Sequence, residues 1–454
     1  MTHEAAAQPF VMDATFWTAT VIFVLAYVVI VSEKIHKTIV AVMGASLMLV
    51  LKILQQHEAF HVEEFGIDWN VIFLLISMMV IINLMRPTGI FEYIAIKSAK
   101  WGKGEPFRIM AIFALVTAVL SALLDNVTTV LLITPVTLLI ADALEVDPIP
   151  YLISCALASN IGGTATLIGD PPNIMIASKA QLDFMAFIYH LGPIVVVIVM
   201  IAYLFTIKFI WGKKLRTRDE LKQRIMQMDE REAIKDPVML KKSLIVLAMV
   251  LTGFVLHGML HFQPATVALF GAGLLLLLSG THEPHHILAE VEWPTIFFFM
   301  GLFVIVGGVV KVGLIKWMSM QVLALTQGNL LATSMVVMWF SAFASAIVDN
   351  IPYVATMNPL IIDMAKQLWP NETGRALLQH ADLMPLWWSL ALGACLGGNG
   401  SAIGASANVI VVGMSEKAGK RISFMKFMAY GMPIMILTVA ISTVYVWLRY
   451  YAFL

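Results

Sequence analysis

Residues 159–176 read SNIGGTATLIGDPPNIMI, and residues 394–411 read ACLGGNGSAIGASANVIV. Both are apolar runs interrupted by glycine and small polar side chains. An offset of 235 lays Gly162, Gly163, Ile168, Gly169 and Asn173 on Gly397, Gly398, Ile403, Gly404 and Asn408. A segment written twice points to an internal repeat. Further out, an offset of 224 pairs Trp69 with Trp293, Gly89 with Gly313, Asp125 and Asn126 with Asp349 and Asn350, and Pro135 with Pro359. The polar loop QLWPNETGRALLQHAD from Gln367 absorbs the eleven extra residues.

The material between these landmarks is apolar. Of 454 residues, 60% are hydrophobic and 13% charged, a composition far from that of a water-soluble globular domain. Runs long enough to cross a bilayer lie near 15–32, 37–54, 69–85, 184–211, 241–259, 264–279, 295–312 and 425–450. Others near 106–142, 150–177, 331–366 and 384–413 are broken by Asp, Asn, Gly and Pro, and function is expected there. The first apolar run follows acidic and His residues and lacks a basic n-region and a small-residue cleavage site, so it reads as a retained span. With the N-terminus outside, 22 of the 29 Lys and Arg residues fall inside, which sets the orientation.

The chain therefore reads as an all-α polytopic membrane protein of about ten spans, with two re-entrant hairpins and two broken helices. An N-terminal repeat occupies 1–211, a charged cytoplasmic linker 212–240 and a C-terminal repeat 241–454. Each half carries five spans and one hairpin, and an odd span count inverts the second half relative to the first. Inverted repeats with interrupted helices characterise secondary transporters, whose site lies between the repeats near the midplane.

Four polar interruptions supply the candidate site. Asp125 and Asn126, followed by Thr128, mark the tip of the first hairpin, and Asp349 and Asn350 that of the second. A lone carboxylate at membrane depth costs roughly 2.5–3.5 kcal/mol on insertion scales. Two at matched positions read as proton-coupling groups, against the plainer reading that each Asp only caps a helix. Gly162 to Thr166 and Gly397 to Ser401 read as unwound stretches, with Gly162, Gly163, Gly397, Gly398 and Gly400 permitting close approach and Thr164, Thr166, Asn399 and Ser401 offering polar atoms. Helix packing is the alternative role for the glycines. Asn173 and Asn408 follow the breaks. Asp170, before Pro171 and Pro172, is a third candidate carboxylate with no acidic counterpart, since Ala405, Ser406 and Ala407 stand there in the second half; helix capping is its alternative role.

Other classes of function find no support. Two cysteines, Cys155 and Cys395, are too few for a disulfide framework or a cysteine-rich metal site; they read as small buried residues, with a soft-ligand role for trivalent arsenic as the alternative. His282, His285 and His286 lie in one short loop without a second ligand set and read as solvated. The sequence has no P-loop, no dinucleotide-binding glycine pattern and no nucleophile elbow. An enzyme, a cofactor and ATP-driven transport by this chain alone are not expected. No Lys or Arg is visible at the tips or breaks, so the expected solutes are protons, small cations or a neutral polar molecule.

The stretches LLDNVTTVLLITPVTLLIADAL, SNIGGTATLIGDPPNIMIAS, SAIVDNIPYVATMNPLI and LGACLGGNGSAIGASANVIVVG resemble the ion transporter superfamily, in the branch of arsenite permeases (ArsB), sodium–proton antiporters (NhaD) and P-protein-like permeases. The likeness runs from Trp69 to about Tyr430. It implies the elevator fold of divalent-anion/sodium symporters, a homodimer through a scaffold domain, a bacterial inner-membrane location and an arsenite-stimulated ATPase as a cytoplasmic partner. Those symporters carry Ser-Asn-Thr at the hairpin tips, whereas this chain has Asp125-Asn126-Val127-Thr128 and Asp349-Asn350-Ile351-Pro352, which argues against a dicarboxylate. The expected function is export of arsenite, and of antimonite, in exchange for protons, with Na⁺/H⁺ antiport as the alternative and an ion permease or uncoupled channel behind it. One proton entering down 100 mV supplies about 2.3 kcal/mol, a gradient of about fifty-fold.

Overall fold

The computed structural model describes residues 12–452 other than Glu63, Lys214 and His282. Among the described residues the chain forms helices and turns and no strand. Eight helices among the described residues are long and apolar enough to cross a membrane, including Ala14–Ser32, Pro237–Leu260, Trp293–Lys311 and Phe424–Tyr450. Three of the eight, Pro106–Leu123, Asn126–Ala143 and Leu330–Ile347, are arms of the expected hairpins. The span expected near 37–54 is shorter, at Lys37–Val50, and the one near 264–279 is the helix Pro264–Ser279. The one near 184–211 is assembled from Phe184–His190, Gly192–Val197, a π-helical segment Ile198–Tyr203 and Leu204–Trp211.

Burial separates two kinds of helix. Ala14–Ser32 and Pro237–Leu260 leave large apolar side chains such as Leu25, Val28, Ile245 and Met259 exposed, a surface that lipid rather than water solvates. Tyr151–Gly163 and Pro385–Gly397 are buried residue by residue, as helices apolar on all sides must be inside a large bundle. They stand at the centre, and each packs along a hairpin arm: Ile149–Gly163 on Pro106–Leu123, and Met384–Gly397 on Leu330–Ile347.

The repeat seen in the sequence recurs in the contacts. Lys37–Val50 packs on Trp293–Lys311, while Pro264–Ser279 packs on Trp69–Met85, so each half completes a helix pair begun by the other. Gly89 and Gly313 both adopt left-handed backbone, at φ 84° and 87°, each at the start of the next helix. A Cβ on Gly162 would stand 2.1 Å from the Ala118 carbonyl oxygen, and one on Gly397 would stand 2.6 Å from Ala342 Cα. Ala118 and Ala342 are themselves related by the 224 offset.

The linker carries one regular helix, Asp219–Gln227, and docks on the segment after Met85. Lys222 pairs with Glu105 at 2.8 Å and Lys100 with Glu230 at 2.6 Å. The Lys100 ammonium holds the Glu230 carboxyl below the usual carboxylate range. His285 begins a five-residue helix with His286, both exposed, and His282 lies outside the described residues.

Backbone contact without an intervening side chain is intolerant of even a methyl group. Gly162→Ala and Gly397→Ala are each expected to lower stability by about 1–3 kcal/mol. Gly273→Ala, in a helix where a Cβ meets nothing within 4 Å, is expected to leave the melting temperature of the purified protein unchanged or to raise it slightly.

Candidate functional site

Each central helix stops and restarts. The first runs Ile149–Gly163 and resumes at Pro171–Ala180; the second runs Met384–Gly397, makes a short 3-10 turn over Gly398–Gly400 and resumes at Ser406–Lys417. Gly162, Gly163 and Gly397 thus still belong to helix, and the irregular stretches begin later than Gly162 and Gly397. Close packing against hairpin backbone, not unwinding, accounts for Gly162 and Gly397. The stranded carbonyls are taken up by one amide per break. Asn173 Nδ2 donates to the carbonyls of Gly163, Thr164 and Thr166 at 3.3, 3.2 and 2.9 Å. Asn408 Nδ2 donates to those of Gly398 and Ser401 at 2.8 and 2.9 Å.

Hydroxyl groups pin the breaks to the hairpins. Thr166 Oγ1 donates to the Ala122 carbonyl and Ser401 Oγ to the Ala346 carbonyl, each at 2.5 Å. Thr164 Oγ1 donates to the Asn160 carbonyl at 2.8 Å. These three hydroxyls were expected to line the solute path, but their hydrogens are committed to backbone and only lone pairs remain.

Between the breaks lies a buried network of amides. Asn160 Nδ2 donates to Asn399 Oδ1 at 2.9 Å and Asn408 Oδ1 at 3.0 Å, and Asn160 Oδ1 accepts from Asn126 Nδ2 at 3.4 Å. Asn126 Oδ1 and Asn399 Nδ2 are buried without a protein partner. Beside them Asn350 Nδ2 lies 3.2 and 3.3 Å from the two oxygens of Asp170. Asp170 is fully buried. Its side chain makes no capping bond to the helix it precedes: Pro172 has no N–H to give, and the N–H of Asn173, the other capping position, goes to the Asp170 backbone carbonyl at 2.9 Å.

The two tip carboxylates are used differently. Asp125 Oδ1 accepts from the Thr128 N–H at 2.8 Å, and Asp349 Oδ1 from the Ile351 N–H at 3.2 Å, so both cap hairpin helices. Asp349 Oδ2 also holds Lys37 Nζ at 2.5 Å. The reading that no cation stands at the tips is therefore corrected: Lys37 comes from a distant helix, and spacing along the chain carries no trace of the pairing. Asn160 was also missed, though the repeat aligns it with Cys395, which occupies the matching place against Asn173 at 3.5 Å. The remaining glycines are close-packed: a Cβ on Gly163 would lie 2.3 Å from the Gly169 oxygen, one on Gly398 3.1 Å from the Ala405 Cβ, and one on Gly400 2.6 Å from the Ala346 Cβ.

An all-helical apolar body around two buried helix breaks and a polar centre defines a multi-pass membrane transporter rather than an enzyme. The chain belongs to the CitMHS (citrate transporter) family, whose profile matches residues 27–393. It is similar to "uncharacterized transporter Rv2684" of Mycobacterium tuberculosis, 46% identical over 436 residues that make up 96% of this chain and 99% of that one. The P protein of Homo sapiens is 32% identical over 504 residues, which cover 94% of this chain and 59% of the human protein. The crystal structure of the Alcanivorax borkumensis YdaH transporter matches with a TM-score of 0.51 over 97% of this chain and 99% of its own, at 12% identity, a likeness of fold. Transport, and not catalysis, is thereby the class of activity.

Removing the hub of the network strands its partners. Asn160→Ala is expected to cost about 1–3 kcal/mol by leaving Asn399 Oδ1 and Asn408 Oδ1 unpaired. Asp170→Asn, which replaces a buried carboxyl group that has no cation of its own, is expected to be neutral or stabilising in the same melting assay.

Proposed function

We propose that this chain is a proton-coupled secondary transporter of the bacterial inner membrane that exports arsenite, and antimonite, in exchange for protons. The observation that carries the reading is the composition of the centre: one carboxylate, Asp170, surrounded by amides and a thiol, with an unpaired acceptor on Asn126 and an unpaired donor on Asn399. Near neutral pH arsenite is an uncharged triol, and its hydroxyls match one orphan acceptor and one orphan donor. A tricarboxylate such as the one in the family's name would need cations at the centre, and Lys37 is already engaged by Asp349. In this proposal Asp170, Asp125 and Asp349 carry the protons, and Asn126, Asn350, Asn399, Asn173 and Asn408 form the polar lining.

The hairpins and broken helices are proposed to move together past a scaffold of the remaining helices, as an elevator does. The repeat boundaries at 211 and 241, a dimer through the scaffold and a partner ATPase on the linker face belong to the same proposal. A second reading, Na⁺/H⁺ antiport, is favoured by one specific feature: Asp349 and the Ser406 hydroxyl together already hold a cationic group.

In everted vesicles, arsenite added to the wild type is expected to drive proton movement, with Asp170→Asn abolishing it and Asp125→Asn or Asp349→Asn uncoupling it. Proton movement triggered by Na⁺ and not by arsenite would replace the first reading by the second. Unchanged uphill transport in all three variants would remove the carboxylates from the mechanism.

A further inference from the structure

The second hairpin is tied to the first two helices by a half-buried ammonium. Lys37, the first residue of Lys37–Val50, places Nζ 2.5 Å from Asp349 Oδ2 and 2.7 Å from Ser406 Oγ, and the Ser406 hydroxyl donates to the same Oδ2 at 2.7 Å. Carboxylate, hydroxyl and ammonium close a triangle, with the Phe298 ring 5.0 Å from Nζ. Asp349 is 8% exposed and Lys37 26%. A cavity of about 520 Å³ opens onto the triangle and is lined by Glu33, His36, Lys37, Glu292, Asp349 and Ser406 among others. One further tie joins the same elements: Tyr27 Oη lies 2.6 Å from both the Pro352 carbonyl oxygen and Thr356 Oγ1.

Two properties of this arrangement matter. Lys37 belongs to neither hairpin and to neither broken helix, so the tie must break whenever the second hairpin moves relative to Lys37–Val50. The ammonium is also compact, so a small hydrated ion or a proton that reaches the cavity can replace it on the same oxygens. Breaking a buried pair by removing one partner is strongly unfavourable, whereas exchanging one cation for another leaves the carboxylate compensated. We infer that Lys37 is a tethered counterion that occupies the place of a free monovalent cation or proton on Asp349, and that its displacement releases the second hairpin from the first two helices.

Other charges face the triangle from each neighbouring element. Glu33 and His36 lie on the connection before Lys37, Glu292 precedes Trp293–Lys311, and Asp170 of the first half stands behind the tip, bonded to Asn350 next to Asp349. Carboxylates outnumber cations around the cavity, which draws a positive species in and steadies it once Lys37 has left. The inference rests on the coupled-transport reading, but it concerns release of the hairpin and is read out without any cargo.

Hydrogen exchange of the full chain in nanodiscs, corrected for intrinsic rates, tests it on the turns after Asp349. Lys37→Met and Asp349→Asn are each expected to speed exchange over residues 350–356 by about tenfold or more. The double variant should add nothing further, Lys37→Arg should restore slow exchange, and residues 126–132 of the first hairpin should stay unchanged. In the wild type, sodium chloride in place of choline chloride, or acidification, should speed the same amides, and Lys37→Met should abolish that response. No change in Lys37→Met, equal loosening of both hairpins, or a wild type indifferent to both Na⁺ and acid would overturn the inference. Arsenite transport could fail while this result held, which separates the two readings.

Discussion

A helix cannot stop inside a bilayer unless something satisfies the backbone groups it strands, and here Asn173 and Asn408 do so. Each sits early in the helix after a break and turns its amide back onto carbonyls of the segment before it. With those carbonyls occupied, Asp170 can be held extended at the centre and Asn160 can join the two breaks. The rest of the polar centre depends on these two side chains. The proximity of the hairpin tips to it follows from the Thr166 and Ser401 hydroxyls, which anchor each break to its own hairpin.

The repeat holds more strictly in backbone than in chemistry. Ser121 and Ser345 donate to the carbonyls of Ser159 and Ala394, both at 2.7 Å, and these donors and acceptors obey the same two offsets. At the centre the matched residues differ in kind: Asp170 stands against Ala405, Asn160 against Cys395, and Thr164 against Asn399. Two frames of the same shape therefore contribute one acid, one thiol and an uneven set of amides. The site is shared as well as uneven, because Pro171–Ala180 packs on Asn350–Leu368 and Ser406–Lys417 on Asn126–Ala143.

Much of the frame was legible in the sequence, because glycine, proline and Asp-Asn pairs fix backbone behaviour locally. The offsets matched Gly162 to Gly397, although both pack in helix rather than unwind, and the DN pairs stand where Pro106–Leu123 gives way to Asn126–Ala143 and Leu330–Ile347 to Asn350–Leu368. The ranking of the acids was less legible. Asp125 and Asp349 stood out by symmetry, yet both are followed by residues with free N–H groups and cap their own helices. Asp170 was the weaker candidate, yet its carboxylate is not used as a cap and faces the Asn350 amide instead. Lys37 and Asn160 are brought in by tertiary packing, over separations of 312 and 239 residues to Asp349 and Asn399, that no local rule reports.

The glycine contacts have a mechanical meaning. Where Gly162 meets Ala118 and Gly397 meets Ala342, main chain lies on main chain, with no side chain between to rotate, slide or repack. A rotamer is the usual lubricant of a helix interface, and these two points of contact have none. Hairpin and central helix in each half are thus welded into a stiff plate. Compliance in the molecule belongs instead to the boundaries where long side chains such as Lys37 and Tyr27 make the connection.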